Sequence, residues 1–197
     1  MNSKPVYLVL DFDGVLHHHY AGPFKNDVFD PGTGVEGFVR ALNARISTTE
    51  VEDAYFEPEG SLFDREHHLI ALLEKVPEAR IVISTSWRNM ISQPWLGELL
   101  LPQVRQKVEG VLDRFDAESN SSGVRGQLMV QWLKHKNEPD AVWVALDDHS
   151  DHYTGHSDHL VKTHWRGLDQ HAVDKTVQKI NKFMRMYSRV NKALSLP

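Results

Sequence analysis

A chain of 197 residues, 41% hydrophobic and 25% charged, has the balance of an ordinary globular domain and excludes a fibrous or disordered one. It contains no cysteine, which removes disulfides and thiolate-ligated zinc or iron–sulfur sites. A formal net charge of −5 argues against wholesale coating of nucleic acid or of an anionic membrane, while leaving room for a local basic face.

In chain order, Val6 to Leu10 is an unbroken apolar run that reads as a buried strand. It is too short for a signal-peptide core and ends abruptly in Asp11. Residues 17–60 carry aromatics, glycines, prolines and acids with no clear period, the texture of a flap or small cap inserted into a single domain spanning 1–197. Within that stretch, Glu36 to Arg45 follows a Pro-Gly-Thr-Gly turn and reads as a helix. Leu62 to Val76 is a helix with Leu69, Leu72, Leu73 and Val76 on one face, and Ala79 to Ile83 is a second strand. Lys107 to Val111 is a weaker strand. Gln127 to His135 is an amphipathic helix, Ala141 to Leu146 a strongly apolar strand, and His159 to Thr163 another weak one. Ala172 to Arg189 closes the series as a helix with an apolar stripe of Val173, Val177, Ile180, Met184 and Tyr187. Apolar strands alternating with helices predict an α/β three-layer fold around a parallel sheet. No segment approaches the roughly 20 apolar residues needed to span a bilayer, so a soluble, cytoplasmic protein without a membrane partner is expected.

Chemistry concentrates where three strands end. Asp11-Phe12-Asp13-Gly14-Val15 follows the first strand, and carboxylates two apart on extended backbone converge on one side. Gly14 lets the chain leave the strand sharply. Taken alone, Asp-x-Asp-Gly also occurs in calcium loops and plain turns. Ser84-Thr85-Ser86-Trp87-Arg88 ends the second strand with small hydroxyls and backbone amides suited to a phosphoryl oxygen, although a helix N-cap would use the same residues. Asp147-Asp148 ends the strand Ala141 to Leu146, where adjacent acids call for a cation or for solvent. Arg125 stands at the start of the preceding helix.

Together, in this order, these residues resemble the four signature motifs of the haloacid dehalogenase (HAD) superfamily. More narrowly, they resemble small HAD-like domains linked to RNA repair systems. The resemblance runs from Val6 to about Gly167 and implies a HAD-like Rossmannoid sandwich with a small flap or cap. It further implies a Mg²⁺-dependent phosphatase in which Asp11 is the nucleophile and Asp13 the general acid and base. Thr85 would hold a phosphoryl oxygen, and Arg125 would stand where the family most often has Lys. Asp11, the backbone carbonyl of Asp13, and the pair Asp147 and Asp148 would hold the metal; by the family pattern the second acid ligates and the first orients. An acid at position 13 favours phosphate esters over dehalogenation.

Ser86, Arg88 and His18 are candidate substrate contacts, and Trp87 is either a base-stacking residue or a packing one. The histidines at 17–19 and at 149, 152, 156 and 159 suggest a zinc site or a substrate-binding flap, with nothing in their spacing to fix ligand geometry. Lys175, Lys179, Lys182, Arg185, Arg189 and Lys192 load the last helix with positive charge. That face would either track nucleic-acid phosphates or simply be solvated. The expected partner is a phosphorylated small molecule or nucleotide. The competing readings are a sugar-phosphate phosphatase, an idle phosphate-binding domain, and a receiver-type signalling domain, the last lacking the expected acidic pair.

Overall fold

The computed structural model describes residues 4–19, 29–48, 61–112 and 122–194. Strand β1, Val6–Leu10, is fully buried along its length, as an uninterrupted apolar run requires of a strand covered on both faces. It is the centre of a five-stranded, all-parallel sheet with β2 (Ala79–Ile83), β3 (Val108–Val111), β4 (Val142–Asp147) and β5 (Leu160–Lys162) in the order β3-β2-β1-β4-β5. The chain therefore builds outward from β1 on one side, then returns past it to build the other. Ligands of open α/β sheets bind at the carboxyl edge where this direction reverses. Register makes the edge even: Leu10 pairs with Ile83 on one side and with Leu146 on the other. Asp11, Ser84 and Asp147 thus leave three neighbouring strands at one level.

Period-two alternation sorts β1 between two apolar layers. Val6, Leu8 and Leu10 face helices α2 (Glu66–Lys75) and α6 (Gln170–Leu194) through Leu69, Leu72, Val173 and Ile180. Tyr7 and Val9 face α5 (Val124–His135) through Met129 and Leu133. Each fully buried aliphatic side chain contributes about 1.5–3 kcal/mol, so the layers are held chiefly by these two faces. The α/β three-layer architecture expected from the sequence is the one observed.

Helix α1, Gly34–Thr48, lies within the stretch expected to form a flap. Its Phe38 and Leu42 are buried in the main core, so this part is joined to the domain rather than laid over it. The remainder of the expected flap, 20–28 and 49–60, lies outside the described residues. Two short helices between β2 and β3, α3 (Gln93–Glu98) and α4 (Pro102–Arg105), were not foreseen. Both begin with a proline in their first turn, and neither is long enough to display a hydrophobic period.

On α6, Lys175, Lys182 and Arg185 are exposed, whereas Lys179 turns to donate to the Asp158 carbonyl at 2.5 Å. The side chains of Arg189 and Lys192 lie outside the described residues. Among the described residues no helix is long and apolar enough to cross a membrane.

Candidate active site

Asp11 continues the β1 ladder, its N–H donating to Leu146 O at 3.1 Å, and its side chain is almost completely buried. Oδ1 accepts from the Phe12 N–H at 2.8 Å, and Oδ2 accepts from Arg125 Nη1 at 2.5 Å. Arg125 occupies the first turn of α5, and the same Nη1 lies 2.5 Å from Asp147 Oδ2. One guanidinium nitrogen therefore ties the end of β1 to the end of β4. The helix can start there because Gly123, just before it, takes a φ of +84° with its α-carbon packed against the Thr154 carbonyl.

Asp147 is fully buried. Its Oδ1 accepts from the His149 N–H at 2.8 Å, and His152 Nδ1 lies 3.5 Å from Oδ2. Asp148 takes a different partner: Oδ2 is 2.9 Å from His19 Nδ1, while Oδ1 is buried without a hydrogen bond, 3.8 Å from His149 Nε2.

Asp11, Asp147 and Asp148 bring carboxylate oxygens within 4.8 Å of one another. Three carboxylates thus share one guanidinium, with the His19 ring beside Asp148, in a site that is largely closed to water. Burial pushes Asp11 up to about 7, with Arg125 opposing that rise and Asp147 and Asp13 adding to it. Burial also works against the charge on Asp147, but Arg125, the His152 ring and the His149 N–H outweigh it and hold this acid below its ordinary value. The pair is unequal because Asp11 faces two further carboxylates, whereas Asp147 has the His152 ring and the His149 N–H beside it. An all-oxygen donor set, with Asp148 Oδ1 buried and without a hydrogen bond, fits a hard divalent cation.

Gly14 makes this geometry possible. At φ +66° it needs no side chain, and a Cβ built there falls 2.4 Å from both Cγ and Oδ2 of Asp148. Gly14→Ala is therefore expected to push Asp148 aside and weaken any divalent-cation binding at the acids by about tenfold or more. Calorimetric titration of a divalent cation beside a thermal melt checks this; unchanged affinity would show that Asp148 is not held for a metal.

The loop after β2 departs from expectation. Thr85 Oγ1 accepts from the Trp87 N–H at 3.3 Å and so caps the short 3₁₀ turn Ser86–Asn89, while Ser86 remains exposed. Arg88, expected to touch substrate, is 1% exposed and bonds inward to the carbonyls of Ser84 and Thr85, the latter at 2.6 Å. Burial pushes it down to about 10, still charged at neutral pH. These bonds fasten the loop. Trp87, considered as a base-stacking residue, is likewise fully buried, packed edge-on against Phe12, Phe38 and Phe63.

Trp87 nonetheless reaches the site. Its Nε1 donates to Asp13 Oδ2 at 2.8 Å, and His17 Nε2 lies 3.1 Å from Asp13 Oδ1. Neither contact was foreseen in the sequence, where the only signal is an imidazole four residues after the second acid. Of the other histidines, His18 is half-buried, edge-on to Trp165 at 4.4 Å, and burial pushes it down to about 4. His19 and His149 place ligand atoms within 4.8 Å of each other and of Asp148. His159 is stacked flat on Trp143 at 3.9 Å, away from the acids, and belongs to the packing.

The sequence from residue 7 to 173 matches the family model described as the HAD domain in Swiss Army Knife RNA repair proteins. The chain belongs to this family. The match begins in β1 and ends in α6, so it takes in every strand of the sheet. Among curated proteins none matches in sequence. Of solved structures, the HAD domain is similar to one described as a predicted HAD-like family hydrolase from Porphyromonas gingivalis, at 12% identity and a TM-score of 0.44, covering 90% of this chain and 99% of that one. The HAD domain carries its acids at the carboxyl edge of β1 and β4.

Proposed function

We propose that this HAD domain is a Mg²⁺-dependent phosphomonoesterase that forms an aspartyl phosphate on Asp11, and that it acts on nucleotides or on phosphorylated ends of nucleic acid. The observation that carries the reading is the convergence of Asp11, Asp147 and Asp148 at one sheet edge, with a single Arg125 nitrogen bridging the first two.

Asp11 and Asp148, with the Asp13 backbone carbonyl, would hold the ion, and Asp147 would orient Arg125. When bound, the ion offsets the charge on the phosphoryl oxygens. Arg125 keeps Asp11 from being repelled by its neighbours while leaving Oδ1 to the Phe12 N–H, so the nucleophile is held at both oxygens before substrate arrives. Asp13 is partly open to the site, 17% exposed, and serves as acid to the leaving oxygen and then as base to water. Thr85 accepts through Oγ1 and so keeps its own proton to donate to a phosphoryl oxygen, with the exposed Ser86 beside it. His18, neutral at pH 7, would offer a hydrogen bond to substrate rather than a charge.

Nucleotide or nucleic-acid substrates are favoured by the RNA-repair setting of the family and by the exposed cations of α6, which suit phosphates beyond the one being cleaved. The test is Mg²⁺-dependent phosphate release across nucleoside monophosphates, 3′- and 5′-phosphorylated oligonucleotides, and sugar phosphates. Preference for the first two classes, with a salt-sensitive KM for the oligonucleotides, is the expected result. Selective turnover of sugar phosphates would overturn the substrate class. Absence of turnover on all of them would leave a phosphate-binding domain.

A further inference from the structure

We infer that His17 and Trp87 form a two-donor clamp that sets the orientation of Asp13, making both of them positioning residues for proton transfer to the leaving group and from water. The inference rests on the aspartyl-phosphate reading above and adds to it the machinery that aims the second carboxylate.

Three observations meet at this spot. The first is the pair of bonds already described, one nitrogen to each Asp13 oxygen, from residues 4 and 74 positions away in sequence. The second is burial. His17 is fully enclosed, its ring edge-on to Phe63 at 5.2 Å and tilted against Trp87 at 5.5 Å, so neither ring can swing to another rotamer. The third is the other face of the imidazole: Nδ1 is buried and has no hydrogen-bond partner. An N–H buried without an acceptor costs more than a bare ring lone pair, so it is Nε2, facing Asp13, that carries a proton. His17 is therefore a donor to Asp13, as the indole of Trp87 must always be.

The local chain explains how a histidine comes to lie there. Val15 and Leu16 both donate to the Phe12 carbonyl, closing a tight turn that returns His17 beneath Asp13. Phe63, which walls the pocket, has a φ of +64°, a conformation costly for an aromatic residue and retained because the packing demands it.

Each Asp13 oxygen accepts one N–H and keeps a second lone pair. The carboxylate plane is thereby fixed while one face stays available for chemistry. A carboxylate free to rotate would meet the leaving oxygen in the wrong plane, and correct placement in proton transfer is worth about 10²–10⁴ in rate. Esters with a good leaving group need no proton from Asp13 in the first displacement, whereas alkyl esters do.

The experiment compares wild type, His17→Leu, His17→Gln and Trp87→Phe, all checked by thermal melt. It measures single-turnover phosphorylation of the enzyme by p-nitrophenyl phosphate and by adenosine 5′-monophosphate. His17→Leu and Trp87→Phe are expected to lose about a hundredfold with adenosine 5′-monophosphate and far less with p-nitrophenyl phosphate. His17→Gln, which keeps an N–H at the same reach, should recover most of the loss. Equal losses on the two esters, or a Gln variant no better than Leu, would overturn the clamp. Should His17→Leu fail to fold, Trp87→Phe carries the same comparison alone. If wild type forms no phosphoenzyme from either ester, the nucleophile assignment itself has failed and the clamp falls with it. A wild type that is phosphorylated beside variants that lose both esters alike isolates the failure to the clamp.

Discussion

Asp11→Asn is expected to leave a folded protein with no phosphoenzyme and with phosphate release lowered by at least about three orders of magnitude. The amide keeps the shape of the carboxylate and can still accept from either the Phe12 N–H or Arg125, but it cannot attack phosphorus. Trapping with radiolabelled substrate and a thermal melt measure the two halves of the prediction; a labelled Asp11→Asn protein would refute the nucleophile. The same residue sets a pH dependence. With no cation present, burial holds Asp11 at about 7 instead of the ordinary 3.8, so the folded state favours its protonated form. The sign follows: ionising Asp11 costs stability, and this penalty grows as pH rises from about 4 to 7. Binding of the proposed Mg²⁺ would favour the ionised form and displace the proton. Affinity should therefore climb by up to about tenfold per unit as pH approaches 7 from below, and flatten above it. Calorimetry at pH 6, 7 and 8 reads this directly, and Asp11→Asn should lose most of the slope.

Arg125→Met is expected to cost about 3–5 kcal/mol at pH 8, because it strands two buried carboxylates. Turnover should fall by about 10²–10³, the scale of removing one fixed charge from a closed site. The destabilisation should shrink at pH 6, where Asp11 takes up a proton and one of the stranded charges disappears. Arg125→Lys separates charge from shape. Only Nη1 contacts the acids, and Nε is buried without a partner, so the fork of the guanidinium is hardly used. An ammonium at that point would serve both acids, and the Lys variant should keep most of the stability and activity. Denaturant melts at the two pH values with steady-state rates provide the measurement. A Lys variant as impaired as Met would show that the guanidinium shape matters after all.

Much of this site was legible because the strands that carry it are the least ambiguous segments of the chain. Val6–Leu10 and Val142–Asp147 are apolar on both faces, so their ends, and hence Asp11 and Asp147, were fixed by hydrophobicity alone. Parallel pairing in register then brought the acids together without further information. The loop after β2 was less legible. Ser84 to Arg88 offered polar groups, and nothing in the sequence says that Arg88 turns into its own backbone or that Trp87 faces inward to Asp13. Those outcomes depend on how an aromatic cluster from four separate segments closes, which no local pattern encodes. His17 was hidden for a related reason: its approach to Asp13 comes from a turn, and a run of three histidines gives no hint of which one is enclosed. The short helices α3 and α4 were missed because one turn shows no period.

The strip that carries Asp13 is sewn to its neighbours along its whole length. Thr163 Oγ1 donates to Gly14 O at 2.6 Å, Leu168 N to Val15 O at 2.7 Å, Arg65 N to Leu16 O at 2.9 Å, and His19 N to Trp165 O at 2.8 Å. Such a strip has no independent opening; it is released only when the segments around β5 and the start of α2 come away as well. Cooperativity then acts as a safeguard. Partly opened molecules, in which Asp11 stays in place but Asp13 has drifted, are scarcely populated, so the site is either whole or lost with the fold.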